Sequence, residues 1–274
     1  MINLDAKSVA EELIAAYRNR RAIEPPSTRD AGFDLDAAYN VEAELVRARK
    51  ASGHTPVGRK VGFANKALWR VLKLKTLVWA HMYDDTVHYA QDGTATLSIA
   101  RMHAPKIEPE IVFRLKKPVD GDPADPAAVL DAVEWVALGF EIIDCVFPGW
   151  KFQPPDFVAS FGLHAALVVA EPAPVWPEGI ANLAGQLAAF TVALWKDDQL
   201  VEEGSGRNSL RSPALCLGEL ATAIAQRRGD ERLASGELIS SGTLTESRPI
   251  TSGETWSVRA SGLDVASLTL HVSA

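Results

Sequence analysis

Between Lys106 and Leu115 the chain reads Lys106-Ile107-Glu108-Pro109-Glu110-Ile111-Val112-Phe113-Arg114-Leu115, and its alternation has the period of a strand. Ile107, Pro109, Ile111, Phe113 and Leu115 point to one face; Glu108 and Glu110 point to the other. A strand that buries the first face holds two carboxylates side by side on the second, where they repel unless a cation, a shared proton or open water accompanies them. A third carboxylate, Glu141, lies in the strand-like run Trp135-Val136-Ala137-Leu138-Gly139-Phe140-Glu141-Ile142-Ile143, and an acid among apolar neighbours is seldom left without a partner. If these strands are neighbours, three carboxylates converge with no thiolate among them. That donor set suits a hard divalent ion such as Mg2+ or Mn2+. The pair Glu108 and Glu110 alone also fits a solvated face. Asp144 reads either as a support for the ligands or as a strand-end surface acid.

A chain of 274 residues with 47% hydrophobic residues can bury a core without disulfides. Cys145 and Cys216 stand far apart in sequence, with no zinc-ligand spacing, and read as buried free thiols in a reducing cytoplasm. A net charge of -7, with basic runs no longer than Lys116-Lys117 or Arg227-Arg228, argues against nucleic acid and anionic membranes as partners. The start, Met1-Ile2-Asn3-Leu4-Asp5, lacks a signal pattern, and no apolar run approaches the roughly 20 residues needed to cross a bilayer. A soluble, cytoplasmic protein is expected.

Helical spacing predicts amphipathic helices from about Asp5 to Arg21 and from about Asp36 to Ser52, joined by the turn-rich connector Pro25-Pro26-Ser27-Thr28. After Gly53 the texture becomes short β-branched runs, with strands expected over 57–62, 86–89, 96–99, 107–115, 135–145, 165–169, 187–195, 238–241, 255–260 and 265–272. Lys196-Asp197-Asp198-Gln199 reads as a hairpin turn. Helices are expected over 126–133 and 212–227, the second stopped by Gly229. The division is a helical extension, 1–54, and a β-rich catalytic domain, 55–274. The class is α+β, a two-layer sheet or rolled barrel.

Lys60 sits at the centre of Gly58-Arg59-Lys60-Val61-Gly62, where the glycines permit close approach of a ligand or another strand. It serves as a base or substrate cation if buried, or as an edge-strand guard if exposed. Tyr83-Asp84-Asp85-Thr86 follows an expected turn, Trp79-Ala80-His81-Met82; Asp84 either caps that turn or orients Lys60. His164 is a structural histidine or a proton-transfer group. Lys151 is a surface lysine or, if turned inward, a substrate cation. Ser241, Gly242 and Thr243 form a polar turn or a cradle for an anion.

The order of these pieces resembles the fumarylacetoacetate hydrolase superfamily, in its branch of 2-keto-4-pentenoate hydratases and 4-oxalocrotonate decarboxylases. The likeness rests on Gly58-x-Lys60-x-Gly62-Phe63, Ile107-Glu108-x-Glu110-Ile111, Glu141, and Gly236-Glu237-Leu238-Ile239 leading to Gly242. It implies that branch's mixed β-sandwich or rolled β-barrel with N-terminal helices, and Mg2+ or Mn2+ on Glu108, Glu110 and Glu141. The strand lysine of the family falls on Lys60 and its following acid on Asp84. The implied activity is hydration of a 2-hydroxy-2,4-dienoate in aromatic-compound catabolism by a homo-oligomer. Decarboxylation of a 2-oxo-dioate, C–C hydrolysis of a diketo acid, and an inactive scaffold remain alternatives. Departures include Ala159-Ser160-Phe161-Gly162-Leu163-His164, where hydratases commonly carry Ala-Asp-Asn before a small residue and serine, and the loop Thr243 to Pro249. His164 near the serine position then activates water or protonates product, while Lys151, Ser241, Gly242 and Thr243 hold the acid substrate.

Overall fold

In a computed structural model, which describes residues 4–228 and 231–274, the strand Lys106–Leu115 lies near the middle of a nine-stranded sheet. Met1 to Asn3 and Gly229, the expected helix stop, fall outside those residues. The chain opens with α1 (Ala6–Arg18), α2 (Pro26–Arg29) and α3 (Leu35–Ala51). Asp5 and Asp34 cap the two longer helices by accepting free backbone amides of their first turns. Then come β1 (Pro56–Gly62), α4 (Lys66–Leu72), β2 (Val78–Tyr83), β3 (Val87–Tyr89), β4 (Thr94–Ser98) and β5 (Lys106–Leu115). The middle of the chain supplies α5 (Pro126–Leu130), β6 (Val133–Ile143), α6 (Pro154–Ala159), β7 (His164–Val169), β8 (Ala173–Pro174) and α7 (Ile180–Ala189). It ends with β9 (Thr191–Lys196), β10 (Gln199–Ser205), α8 (Pro213–Arg228), β11 (Leu238–Ser240), β12 (Arg248–Pro249), β13 (Thr255–Ser261) and β14 (Leu268–Ser273).

The larger sheet has the order β2-β1-β11-β5-β6-β7-β3, with β12 added to β5 and β8 to β6; β10-β9-β13-β14-β4 form the second. The expected α+β class with helices, a rolled sheet and a second sheet layer is therefore the observed architecture. The larger sheet is curled. One face, with Ile107, Ile111, Phe113, Val61 and Ile239, joins the main apolar core, to which α1 and α3 also contribute Val9, Leu13, Val41 and Leu45. On the other face Val112 meets Met82, Trp135, Ala137, Leu167, Val169 and Leu238 in a second apolar cluster. The central strands are thus covered on both faces, and the carboxylates of β5 lie on the same face as Val112.

Three expectations are corrected. Trp79 to Met82 is no turn but the middle of β2, paired antiparallel with β1 from Pro56↔Tyr83 to Gly62↔Val78; long-range pairing outweighs the local turn signal. The run 187–195 is split: Leu187 to Ala189 end α7, and the strand begins at Thr191. Ala181, Ala184, Ala188 and Ala189 favour helix there, and α7 packs against α5 and α8. Pro26 opens a single helical turn where only a connector was expected. Trp69 and Trp79 are buried, and both cysteines are buried free thiols. Among the described residues no helix is long and apolar enough to cross a membrane.

Close strand pairing explains the glycine two residues before Lys60 in β1. A Cβ there would stand 1.9 Å from the carbonyl oxygen of Leu238 on β11, which pairs with it in parallel register. Gly58→Ala is expected to destabilise the protein by about 1–3 kcal/mol through forced separation of β1 and β11. A urea unfolding midpoint equal to the parent's would contradict this packing.

Candidate metal centre

Register, more than sequence distance, assembles the carboxylates. Glu108 on β5 pairs directly with Glu141 on β6, and Glu110 pairs with Gly139, so all three acids share one face. Single ligand oxygens from Glu108, Glu110 and Glu141 lie within 4.8 Å of one another. Glu110 and Glu141 are buried, and Glu108 is half-buried at the edge of a cleft of about 640 Å³.

Lys60 is the cation that faces them. It belongs to an interior strand between β2 and β11, which removes the edge-guard reading. Its side chain is buried, and Nζ stands 2.9 Å from Oε2 of Glu141 and 4.9 Å from the centre of the Phe157 ring. Burial alone would push the Lys60 ammonium down, but the negative charges of Glu141, Glu108 and Glu110 outweigh it and hold its pKa above the ordinary lysine value. Glu141 behaves as its complement: burial favours the acid form, yet Lys60 and His164 bring its pKa below the usual carboxylate range. Glu110 receives hydrogen bonds on Oε2 from the Ser240 hydroxyl at 2.5 Å and the Gly242 amide at 2.8 Å. Gly242 has φ +92° and a Cβ there would lie 2.7 Å from Ala64, so only glycine presents its amide to Glu110 without strain.

These residues fit a divalent cation. Three carboxylates face one ammonium, and Oε1 of Glu110 is buried without a hydrogen-bond partner among the described residues. Burial, with Glu141 and Glu108 beside it, pushes the Glu110 carboxyl well above its usual range. Burial likewise raises Glu108 to about 7. Such a cluster, all oxygen, is what a hard cation neutralises.

Several expected site residues lie elsewhere. Asp84 does not reach Lys60: it is exposed in the turn after β2, beside Tyr83, which pairs with Pro56 rather than with Lys60. Its carboxylate lies 3.4 Å from Nδ1 of His54, and Glu141 supplies the charge Asp84 was expected to bring. With His54 and Asp85 it forms a second acidic cluster, but Arg49 is already on Asp85. His164 is buried behind Glu141 and does not line the cleft. Its Nδ1 is 2.9 Å from Oε1 of Glu141 and its Nε2 2.9 Å from the Thr86 hydroxyl. A ring held at both nitrogens positions Glu141 rather than meeting substrate. Lys151 is exposed, while its neighbours Trp150 and Phe152 line the cleft. Ser241 faces away: its hydroxyl donates to the carbonyl of Ile111 at 2.8 Å. Gly242 and Thr243 do line the cleft. Asp144 is buried, and accepts the amides of His103 and Ala104; it is a structural anchor.

Ser240, Thr86 and Phe157 escaped the sequence reading. Ser240 was legible in principle, because Leu238 and Ser240 share one face of β11 and Ile239 and Ser241 the other. Nothing local marks Thr86, whose neighbour His164 is 78 residues away.

No family model matches this chain. Among curated proteins, a 4-oxalocrotonate decarboxylase from Pseudomonas sp is 30% identical, covering 86% of this chain and 87% of its own length. A 2-hydroxyhexa-2,4-dienoate hydratase from Comamonas testosteroni is 27% identical, covering 94% of each chain. Among solved structures, the 4-oxalocrotonate decarboxylase from Pseudomonas putida G7 complexed with magnesium and adipate superposes with a TM-score of 0.86 at 25% identity, over 97% of both chains. The fold recurs in fumarylacetoacetate hydrolase family proteins at identities that carry the fold alone.

The carboxylates also set a pH dependence for the metal-free protein. Glu108 rises from 4.5 to about 7 on folding, so the fold favours its protonated form. That stability is fully present below about pH 4.5 and is lost as pH rises through about 7. Chelator-treated protein is expected to show a lower urea midpoint at pH 8 than at pH 5, with Mg2+ restoring it at pH 8. Equal midpoints would mean that Glu108 carries no burial penalty.

Proposed function

Because this chain belongs to the 2-keto-4-pentenoate hydratase and 4-oxalocrotonate decarboxylase family of the fumarylacetoacetate hydrolase superfamily, we propose that it is a divalent-metal-dependent lyase. Its reaction is hydration of a 2-hydroxy-2,4-dienoate of the 2-keto-4-pentenoate type, in aromatic-compound catabolism. The observation that carries the metal-site reading is the convergence of Glu108, Glu110 and Glu141 on one face beside the buried ammonium of Lys60.

Glu108, Glu110 and Glu141 would hold Mg2+ or Mn2+, which when bound supplies Lewis-acid stabilisation of the enolate of a 2-oxo acid. Lys60 lines the cleft and, as the ammonium paired with Glu141, carries a proton it can donate. It delivers a proton to carbon 5 of the dienol and takes back the proton that the enol oxygen gives up, leaving the 2-oxo-3-enoate; water then adds its hydroxyl to carbon 4 and its proton to carbon 3. Glu141 orients the ammonium, and His164 with Thr86 orients Glu141. Phe63, Phe157, Phe152 and Trp150 give the cleft an apolar wall for the diene.

Among the described lining residues Lys60 is the basic side chain, already on Glu141, and Lys106 stands at the wall of the cleft with Nζ 4.0 Å from the centre of the Trp150 ring. The decarboxylase reading stands second, supported by the similarity to two 4-oxalocrotonate decarboxylases. The buried thiols suit a cytoplasmic enzyme. A homo-oligomer, with residues 1–54 as a helical cover for a catalytic domain of residues 55–274, completes the reading.

Loss of the ultraviolet absorbance of 2-hydroxypenta-2,4-dienoate tests it. Turnover is expected with Mg2+ or Mn2+, to stop with chelator, and to yield a product heavier by one water. Glu108→Ala is expected to remove metal binding and turnover; full activity in that variant would overturn the ligand assignment. Carbon dioxide release from a 2-oxo-dioate, without dienoate hydration, would select the second reading. His164→Ala is expected to weaken metal binding by about 10–100-fold, read by metal titration, whereas unchanged affinity would remove its positioning role.

A further inference from the structure

The two edges of the curled sheet, β2 and β3, are drawn together at Thr86, and a second cavity of about 430 Å³ opens there. It shares no lining residue with the metal cleft. Thr86 ties the seam: its hydroxyl donates to the carbonyl of Tyr83 at 2.9 Å, its carbonyl accepts the Leu167 amide at 2.8 Å, and its hydroxyl meets His164. His164 lines this cavity and, through its bond to Glu141, abuts the carboxylate cluster.

The chemistry of this cavity is consistent in charge. Arg18, Arg49 and Arg101 line it, against the carboxylates of Asp85 and Asp144. Both acids are engaged, Asp85 by Arg49 and Asp144 by two backbone amides. Arg49 is further held over the Tyr83 ring at 4.7 Å. Arg18 and Arg101 have neither a hydrogen bond nor an ion pair from their side chains among the described residues. Part of the remaining lining is polar, with His81, Thr86 and His164, and part is apolar, with the Tyr17 and Phe161 rings packed edge to face at 5.9 Å and Ile14 and Met102 in the same wall. Guanidinium groups that line one cavity with aromatic rings select an anion with a flat or branched apolar body.

We infer that this cavity is a second binding site, for a small organic acid with one carboxylate and an apolar body. Arg18 and Arg101 receive the carboxylate and Tyr17 and Phe161 the body. The inference stands apart from the metal cleft and does not need its assignment.

Benzoate is the probe, titrated calorimetrically into the Mg2+-supplemented full chain. One saturable site is expected, unchanged in Glu108→Ala and in chelator. Arg18→Ala with Arg101→Ala, both at exposed positions, is expected to weaken it at least about tenfold, and benzamide, which lacks the charge, to bind at least about tenfold more weakly. Binding that vanishes in both Glu108→Ala and chelator would place benzoate in the metal cleft and overturn the inference. So would benzoate affinity indifferent to the arginine pair, or no saturation at millimolar concentrations.

Discussion

The buried ion pair between Lys60 and Glu141 is the interaction on which the rest of the site depends. Three acids on one face of adjacent strands would repel strongly in a low-dielectric interior, and each would otherwise take up a proton. Lys60 relieves Glu141 first, which is why Glu141 falls below the usual carboxylate range while Glu110 and Glu108 rise. The pair also requires the shape of the sheet. Lys60 pairs with Ser240, Ser240 with Val112, and Val112 with Ala137, four residues before Glu141. On a flat sheet three strand spacings alone come to about 14 Å, before the offset along the strand. The two side chains meet at 2.9 Å because the sheet curls and aims both inward.

Curling has a second consequence at its edges. A sheet rolled but not closed leaves a seam between β2 and β3, and unpaired edges are costly unless bridged or covered. Thr86 and His164 bridge this one, while residues of α1 and α3 line the cavity outside it. His164 thereby joins the carboxylate cluster to the seam, so that one imidazole both fixes Glu141 and closes the roll. A residue that looked like a proton shuttle from its type alone is held at both ring nitrogens.

Local signals identified the elements whose burial is one-sided or whose pattern is regular. The opening helices, β5, β6 and α8 were legible because periodicity reports burial. Trp79 to Met82 misled because its β character is realised only by pairing with β1, and Ala181 to Ala189 because an apolar run does not reveal its period. For the candidate site, Glu108, Glu110, Glu141 and Lys60 were visible as acids and a lysine in strands. Asp84 and Ser241 each went astray for a reason of direction: Asp84 lies beyond the strand end paired with Pro56, and Ser241 points to the face opposite Ser240.

By itself the sequence determined which residues carry charge on apolar strands, the alternation that puts Glu108 and Glu110 on one face, and the family likeness. Those follow from residue type and the two-residue repeat of a strand, which are properties of short segments. Only the tertiary structure decided that Glu141 stands opposite Glu108, that Glu141 and not the surface acid Asp84 is the partner of Lys60, and that His164 lies behind Glu141. These depend on register and on the curvature of the sheet, and both are fixed by packing among strands far apart in the chain.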